Sequence, residues 1–272
     1  MQYYIGCSGW SYSAWQGPFY PSNLDSSSDW LKFYASVFNY VEIDSSFYRT
    51  PNVFTVKNWF NKTPDNFKFT AKFPKVITHD KRLKDVSREL EYFFQSMLPL
   101  KEKTLALVIQ LPPSLKITEG IENLRQNVVP LLDSRFRYAI EVRDRTWFQD
   151  LAYNFFTDND ICMVWSQLAE LRSTLPIATT DFLYLRFIIG DRSIDEKNFG
   201  KIQKDRVMEM KKWASKVAHI HKGKAGENGP IIVTLFNSPS SPIGHKHFML
   251  IYVIEYTTCS KIGQRRSFEI LC

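Results

Sequence analysis

Eight short β-rich runs, separated by longer helix-patterned stretches, constrain this chain more than any other feature of its sequence. The runs are YYIGC (3–7), YVEID (40–44), FKFTAK (67–72), LALVIQ (105–110), RYAIEV (137–142), ICMVW (161–165), FLYLRF (182–187) and PIIVTLF (230–236). Between them lie helical patterns over 28–38, 53–62, 86–98, 120–132 and 146–156, and the longest within 195–221. Strands that alternate with helices read as parallel βαβ units, because a parallel neighbour is reached only through a crossover long enough to hold a helix. Eight such strands predict an α/β fold, a TIM-type (β/α)8 barrel spanning residues 1–272 as one domain, with a doubly wound open sheet as the rival. Two crossovers are irregular. Residues 166–180 leave room for at most a short sixth helix, and no amphipathic period after the eighth strand marks a closing eighth helix. Ser28 is the expected N-cap of the first helix, with Ser26 and Ser27 competing for the role.

Successive side chains on a strand point to opposite faces. In the second run Val41 and Ile43 belong on the helix-covered face, so Glu42 and Asp44 are expected to face the barrel axis. The same phase turns Thr70 and Lys72, Gln110, Glu141 and Arg143, and Tyr184 and Arg186 inward, while Ser8 and Asn237 lie near the ends of the first and eighth strands. Three acids and three bases thereby converge at the C-terminal strand ends, the face where TIM barrels carry their sites. Buried charges of this kind have to neutralise one another. The cluster therefore reads either as a ligand site or as a structural salt-bridge plug, and the location favours a site.

The loops after the strands add candidates. SGWSYSAWQGPFYP (8–21) concentrates aromatic side chains beside strand one; Trp10 and, further on, Tyr48 are expected to stack on or cover a ligand, the alternative being that such rings roof the barrel. KFPKVITHDKRL (72–83) is a basic loop suited to phosphate, or else a solvated charged loop, and contains His79, the one histidine of five beside a predicted strand end. EVRDRTW (141–147) adds Trp147 to Arg143. The four cysteines show no metal-ligand spacing, and neither a Walker loop nor a GxGxxG, GxSxG or HExxH motif occurs; no metal ligands are assigned and the cofactor stays unknown. A net charge of +7 favours anionic partners, nucleic acid among them. With no signal-like N-terminus and no apolar segment long enough for a bilayer, the expectation is a soluble cytoplasmic protein without membrane contact.

The segments IGCSGWSYSAWQGPFYP, YVEIDSSFYRTP, FKFTAKFPKVITHDKRL, LVIQLPPS, IEVRDRTWF and FLYLRFIIG resemble, in this order, the motifs of the YecE-like family, domain of unknown function 72. The resemblance implies a TIM-type barrel with these motifs gathered at its C-terminal mouth, and it implies no reaction. Asp44 stands where that family usually has Asn. After Phe236 and Asn237 the resemblance ends, and residues 238–272 form an atypical tail for which a shifted reading frame is one expectation.

Together these readings predict a mouth that binds a small polar or phosphorylated molecule. Glu42 and Glu141 are the candidate acid and base. Ser8, Trp10, Asp44, Tyr48, Lys72, His79, Gln110, Arg143, Trp147, Arg186 and Asn237 are candidate ligand contacts. A nucleic-acid-binding protein, such as a nuclease or repair enzyme, and a non-catalytic ligand sensor are the competing functions.

Overall fold

A computed structural model describes residues 2–17, 19–24, 26–166, 177–187, 215 and 229–235. Nine parallel strands, β1 (Tyr3–Ser8), β2 (Tyr40–Ile43), β3 (Lys68–Lys72), β4 (Thr104–Gln110), β5 (Tyr138–Glu141), β6 (Ile161–Met163), β7 (Trp165–Ser166), β8 (Leu183–Phe187) and β9 (Ile231–Leu235), make one sheet. Its order is β6-β5-β4-β3-β2-β1-β9-β8-β7. The ends of that order, β6 and β7, are two halves of the sixth predicted run, parted at Val164. The first half pairs with β5 and the second with β8, so the chain itself carries the sheet round into a nearly closed TIM-type α/β barrel. The strand order argues against the open-sheet alternative: each strand lies beside its neighbour in sequence, the last strand pairs with the first, and the two ends of the order are the consecutive β6 and β7.

Helices α1 (Ser27–Val37), α2 (Ser45–Tyr48), α3 (Val53–Lys62), α4 (Ser87–Met97), α5 (Ile117–Asn123) and α6 (Asp150–Asp158) fill the crossovers. Ser26, rather than Ser28, caps α1: its hydroxyl accepts from the Asp29 amide at 3.1 Å, which places the helix start one residue earlier than its pattern suggests. The fourth crossover helix is shorter than the expected 120–132. It runs on from α5 through a π-turn and a 3-10 turn, and Pro130 in that last turn has no amide to extend an α-helix. Similarly, the predicted 146–156 helix divides into a 3-10 turn at Arg145–Trp147 and α6. The helix expected within 195–221, apart from residue 215, the tail 238–272 and Asn237 lie outside the described residues.

The alternation expected from the sequence sorts the core into two clusters. Cys7, Val41, Ile43, Phe69, Ala71, Leu107, Ile109, Tyr138, Ile140, Ile161 and Met163 pack outward against the helices. Tyr4, Tyr40, Ala106, Val108, Ala139, Cys162, Val164, Phe182, Tyr184 and Ile232 fill the barrel axis. A register shift between Phe69 and Thr70 sets Ala106 and Val108 opposite Thr70 and Lys72, so that β4 joins the interior in phase with β3. No helix among the described residues is long and apolar enough to cross a membrane.

Candidate functional site

Above the apolar floor of the barrel lies a layer of hydroxyls. Tyr40 OH is 2.6 Å from Thr70 Oγ1, 2.9 Å from Tyr184 OH and 2.8 Å from Thr234 Oγ1, all fully buried. These four residues stand two positions before, or on the strand beside, the charged positions, so strand alternation stacks them directly under the mouth. Burial holds the Tyr184 phenol well above its usual range, and the nearby Glu42 charge adds to the effect. Tyr184 is thus a neutral donor, and its hydroxyl donates to Glu42 Oε2. Tyr184→Phe removes the hydroxyl shared by this layer and Glu42. We expect a loss of about 1–3 kcal/mol in urea denaturation, the cost of leaving buried polar groups unsatisfied; an unchanged midpoint would count against the layer as a support for the charges.

The charged layer comes next, at the C-terminal strand ends. Arg186 bridges two carboxylates: its Nη2 donates to Glu42 Oε1 at 2.8 Å and its Nη1 donates to Glu141 Oε2. Gln110 Oε1 accepts from the same Nη1 at 3.3 Å. Ser8 Oγ donates to Glu42 Oε1 at 3.0 Å, and Ser166 Oγ to Glu141 Oε1 at 2.6 Å. Lys72 Nζ lies 3.7 Å from Glu42 and donates to Asp44 Oδ1. Arg143 Nη2 reaches Glu141 at 3.4 Å. Glu42, Glu141 and Arg186 have fully buried side chains, whereas those of Asp44 and Arg143 are 28% and 24% exposed. The network is therefore dry inside and opens to solvent at those two residues.

Burial works against ionisation of Glu42, but the Arg186 and Lys72 charges outweigh it and lower its carboxyl to about 2. For Glu141 burial is likewise outweighed, by Arg186 and Arg143, and its carboxyl also falls below the usual range. Both carboxylates are held ionised by the same guanidinium, so their surroundings do not divide them into an acid and a base.

Of the six charges, Arg143 is the least satisfied. A guanidinium has five N–H donors; here one makes a long contact, and the buried Nε has no hydrogen-bond partner among the described residues. His79 sits at the same rim, on a π-turn after β3 that no hydrophobic period signals. Its Nδ1 is 2.8 Å from Thr78 Oγ1, and its ring meets Phe47 edge-on at 5.0 Å. Phe47 also receives Lys72 Nζ, 5.8 Å from the ring centroid. Tyr48, 70% exposed, leans edge-on against Phe47 at 5.4 Å and so stands at the outer margin.

Two candidates do not face the mouth. Trp10 packs edge-on against Trp59 of α3 and donates its indole N–H to the Ser27 carbonyl, and Trp147 is fully buried, stacked on Phe156 and donating to the Leu115 carbonyl. Both belong to the barrel–helix layer, because large rings following a strand are buried most completely by turning onto the neighbouring helices. Trp15 and Tyr20 follow the same rule. The basic loop is largely spent on internal pairs: Arg82 with Glu119 at 2.7 Å, and Lys81 with Glu89 at 2.8 Å. Phe47 and Ser166 are not among the candidates named from the sequence. For Ser166 the inward phase of the sixth run was the available signal, obscured by the break at Val164.

Comparison with known proteins accounts for the order of these motifs. Residues 4–247 match the model of "Protein of unknown function DUF72". The chain is 31% identical over 147 residues to the UPF0759 protein YecE of Escherichia coli K12, covering 53% of this chain and 50% of that protein. It is 31% identical over 161 residues to the UPF0759 protein YunF of Bacillus subtilis, covering 55% and 54%. The aligned part thus spans about half the length of these curated relatives. A crystal structure of a DUF72 family protein from Thermotoga maritima superposes with a TM-score of 0.68 at 26% identity, covering 96% of this chain and 100% of that one. One from Enterococcus faecalis, at 19% identity, superposes with a TM-score of 0.66, covering 95% and 98%, and shows the common fold.

Proposed function

The chain belongs to the DUF72 family, and from that premise we propose that its barrel mouth receives a small molecule through an anionic group, with Arg143 as the receiving side chain. The observation that carries this reading is the imbalance within the charge network. Arg186 and Lys72 are engaged by Glu42, Glu141 and Asp44, whereas Arg143 is partly exposed and among the described residues makes one long contact, to Glu141. A planar guanidinium in that condition suits a carboxylate or phosphate oxygen pair. The buried part of the network then serves as a rigid, neutralised base that keeps Arg143 in place. Lys72 and His79 flank the entrance and Tyr48 borders it. Glu42 and Glu141 act in this reading as fixed charges that orient Arg186 and Arg143.

The test is a thermal-shift and calorimetric screen with sulfate, phosphate, sugar phosphates, small carboxylates and a short oligonucleotide. We expect at least one small anion to stabilise the protein, and Arg143→Met to weaken its binding by roughly 10–100-fold, the loss of one charge-assisted hydrogen-bonding group. Binding that survives Arg143→Met, or an absence of any stabilising small anion, would sink the reading. An oligonucleotide that binds both proteins equally and is released steeply by salt would point instead to the general positive charge of the chain.

A further inference from the structure

Gln110 is held by one end of its side-chain amide only. It closes β4, two positions beyond the inward-facing Val108, and is 6% exposed. Its Oε1 accepts from Arg186 Nη1 at 3.3 Å. A guanidinium can only donate, so this contact decides which way round the amide stands: the carbonyl faces Arg186 and the NH2 group is at the other end. Neither donor of that NH2 group has a partner among the described residues. Idle amide donors in so nearly buried a place carry a desolvation cost that an aliphatic side chain of the same size would avoid.

Contacts tie this amide to Arg143. The register pairs Gln110 with Glu141 on β5, and Arg143 follows two residues later in the same inward phase. Arg186 Nη1, which serves Gln110, also donates to Glu141 Oε2, and that same carboxylate oxygen is 3.4 Å from Arg143 Nη2. Gln110 and Arg143 thus flank one buried ion pair, with three hydrogen-bond contacts of about 3 Å each bounding the gap between them. The Glu141 oxygens are already taken, Oε1 by Ser166 and Oε2 by the two guanidinium groups. What this stretch of the mouth has left to give is therefore donors, one charged and one neutral.

We propose that Gln110 is the second binding group of this mouth, donating its amide NH2 to a neutral oxygen of a ligand whose anionic group lies on Arg143. The ligand class is then a small oxyanion with a carbonyl or hydroxyl oxygen a few bonds from the charge, as in 2-oxo acids, 2-hydroxy acids and hydroxylated phosphate esters. The proposal rests on the anion-site reading of Arg143 and adds the neutral half of the ligand. The short gap sets the size, since a molecule whose two acceptor groups are a few bonds apart spans it. The division of labour follows from charge. Arg143 attracts any anion, whereas the uncharged amide distinguishes an acceptor oxygen from an aliphatic carbon by one neutral hydrogen bond, a preference of about 3–10-fold.

The probes are propionate, lactate and pyruvate, which differ only in carrying a methylene, a hydroxyl or a carbonyl beside the carboxylate, and the matched pair propyl phosphate and 2-hydroxyethyl phosphate. Their affinities for the full chain are measured by calorimetry at pH 7. The expected result is a preference of about 3–10-fold for the oxygenated member of at least one series, and the series that shows it identifies the oxyanion as carboxylate or phosphate. In Gln110→Leu the members of that series bind alike. Gln110→Glu keeps an acceptor for Arg186 while removing the NH2 donors, so it loses the preference for pyruvate even if the leucine variant fails to fold. Equal affinities within both series in the wild type, or a preference that survives in the variants, overturn the role of Gln110. So does a preference for lactate without one for pyruvate, because it reads an acceptor in the site and not an amide donor. Binding unaffected by Arg143→Met, or no binding of any probe by the wild type, overturns the anion-site reading as well.

Discussion

Arg186→Met is expected to lower folding stability by about 3–5 kcal/mol, the usual cost of deleting one partner of a buried ion pair. The change leaves Glu42 and Glu141, both fully buried, without the guanidinium that bridges them. Methionine fills much of the same volume, so the loss reads the stranded charges and not a cavity. Urea denaturation at pH 7 measures it as a fall in the midpoint at unchanged m-value. A loss below about 1 kcal/mol would mean that the carboxylates find water or protons readily, and that the interior of the network is not dry. The same experiment on Arg143→Met should give a loss within about 1 kcal/mol, because this side chain is partly exposed and makes one long contact among the described residues. That contrast separates the two parts of the network: a structural base built around Arg186, and a receiving group at its edge. If Arg143→Met proves as costly as Arg186→Met, the whole cluster is a plug.

The second large effect is on acid stability. The Glu42 carboxyl falls from 4.5 to about 2 in the folded chain. A carboxyl whose folded value lies below its unfolded one contributes stability that is complete above the unfolded value and disappears as pH falls through the folded one. The window for Glu42 therefore runs from roughly pH 5 down to about 2, and the full contribution is of the order of 3 kcal/mol at 1.36 kcal/mol per unit. Glu141 shifts in the same direction and steepens the loss. Denaturation midpoints collected from pH 7 to 2 should drop most steeply below pH 5, and Glu42→Gln should be less stable at pH 7 but show a shallower acid limb. An acid limb identical in wild type and Glu42→Gln would show that Glu42 is not the group responsible.

Much of this site was legible from strand phase. Once Val41 and Ile43 are placed against helices, Glu42 must point to the axis, and the same rule puts Lys72, Gln110, Glu141 and Arg186 there without any knowledge of their partners. Tyr40, Thr70, Tyr184 and Thr234 obey the same rule, but a hydroxyl in a strand carries no sign of whether it meets water, an apolar neighbour or another hydroxyl. The loops were less legible. Trp10 and Trp147 look like ligand-stacking rings because aromatic density in a βα loop has two outcomes, the mouth or the helix layer, and nearby sequence does not choose between them. His79 was visible as a histidine after a strand, but its π-turn and its contact with Phe47 were not.

The order of residues alone specifies the parallel barrel, the face on which charges gather, and the set of inward side chains. Each of these follows from local periodicity and from the requirement that apolar faces be covered, rules that act over a few residues. What local rules leave open is the pairing: that Arg186 binds both Glu42 and Glu141, that Lys72 turns to Asp44, and that Arg143 makes one long contact among the described residues. Pairings of this kind join residues tens to more than a hundred positions apart. They depend on barrel radius and strand register, which no stretch of a few residues encodes.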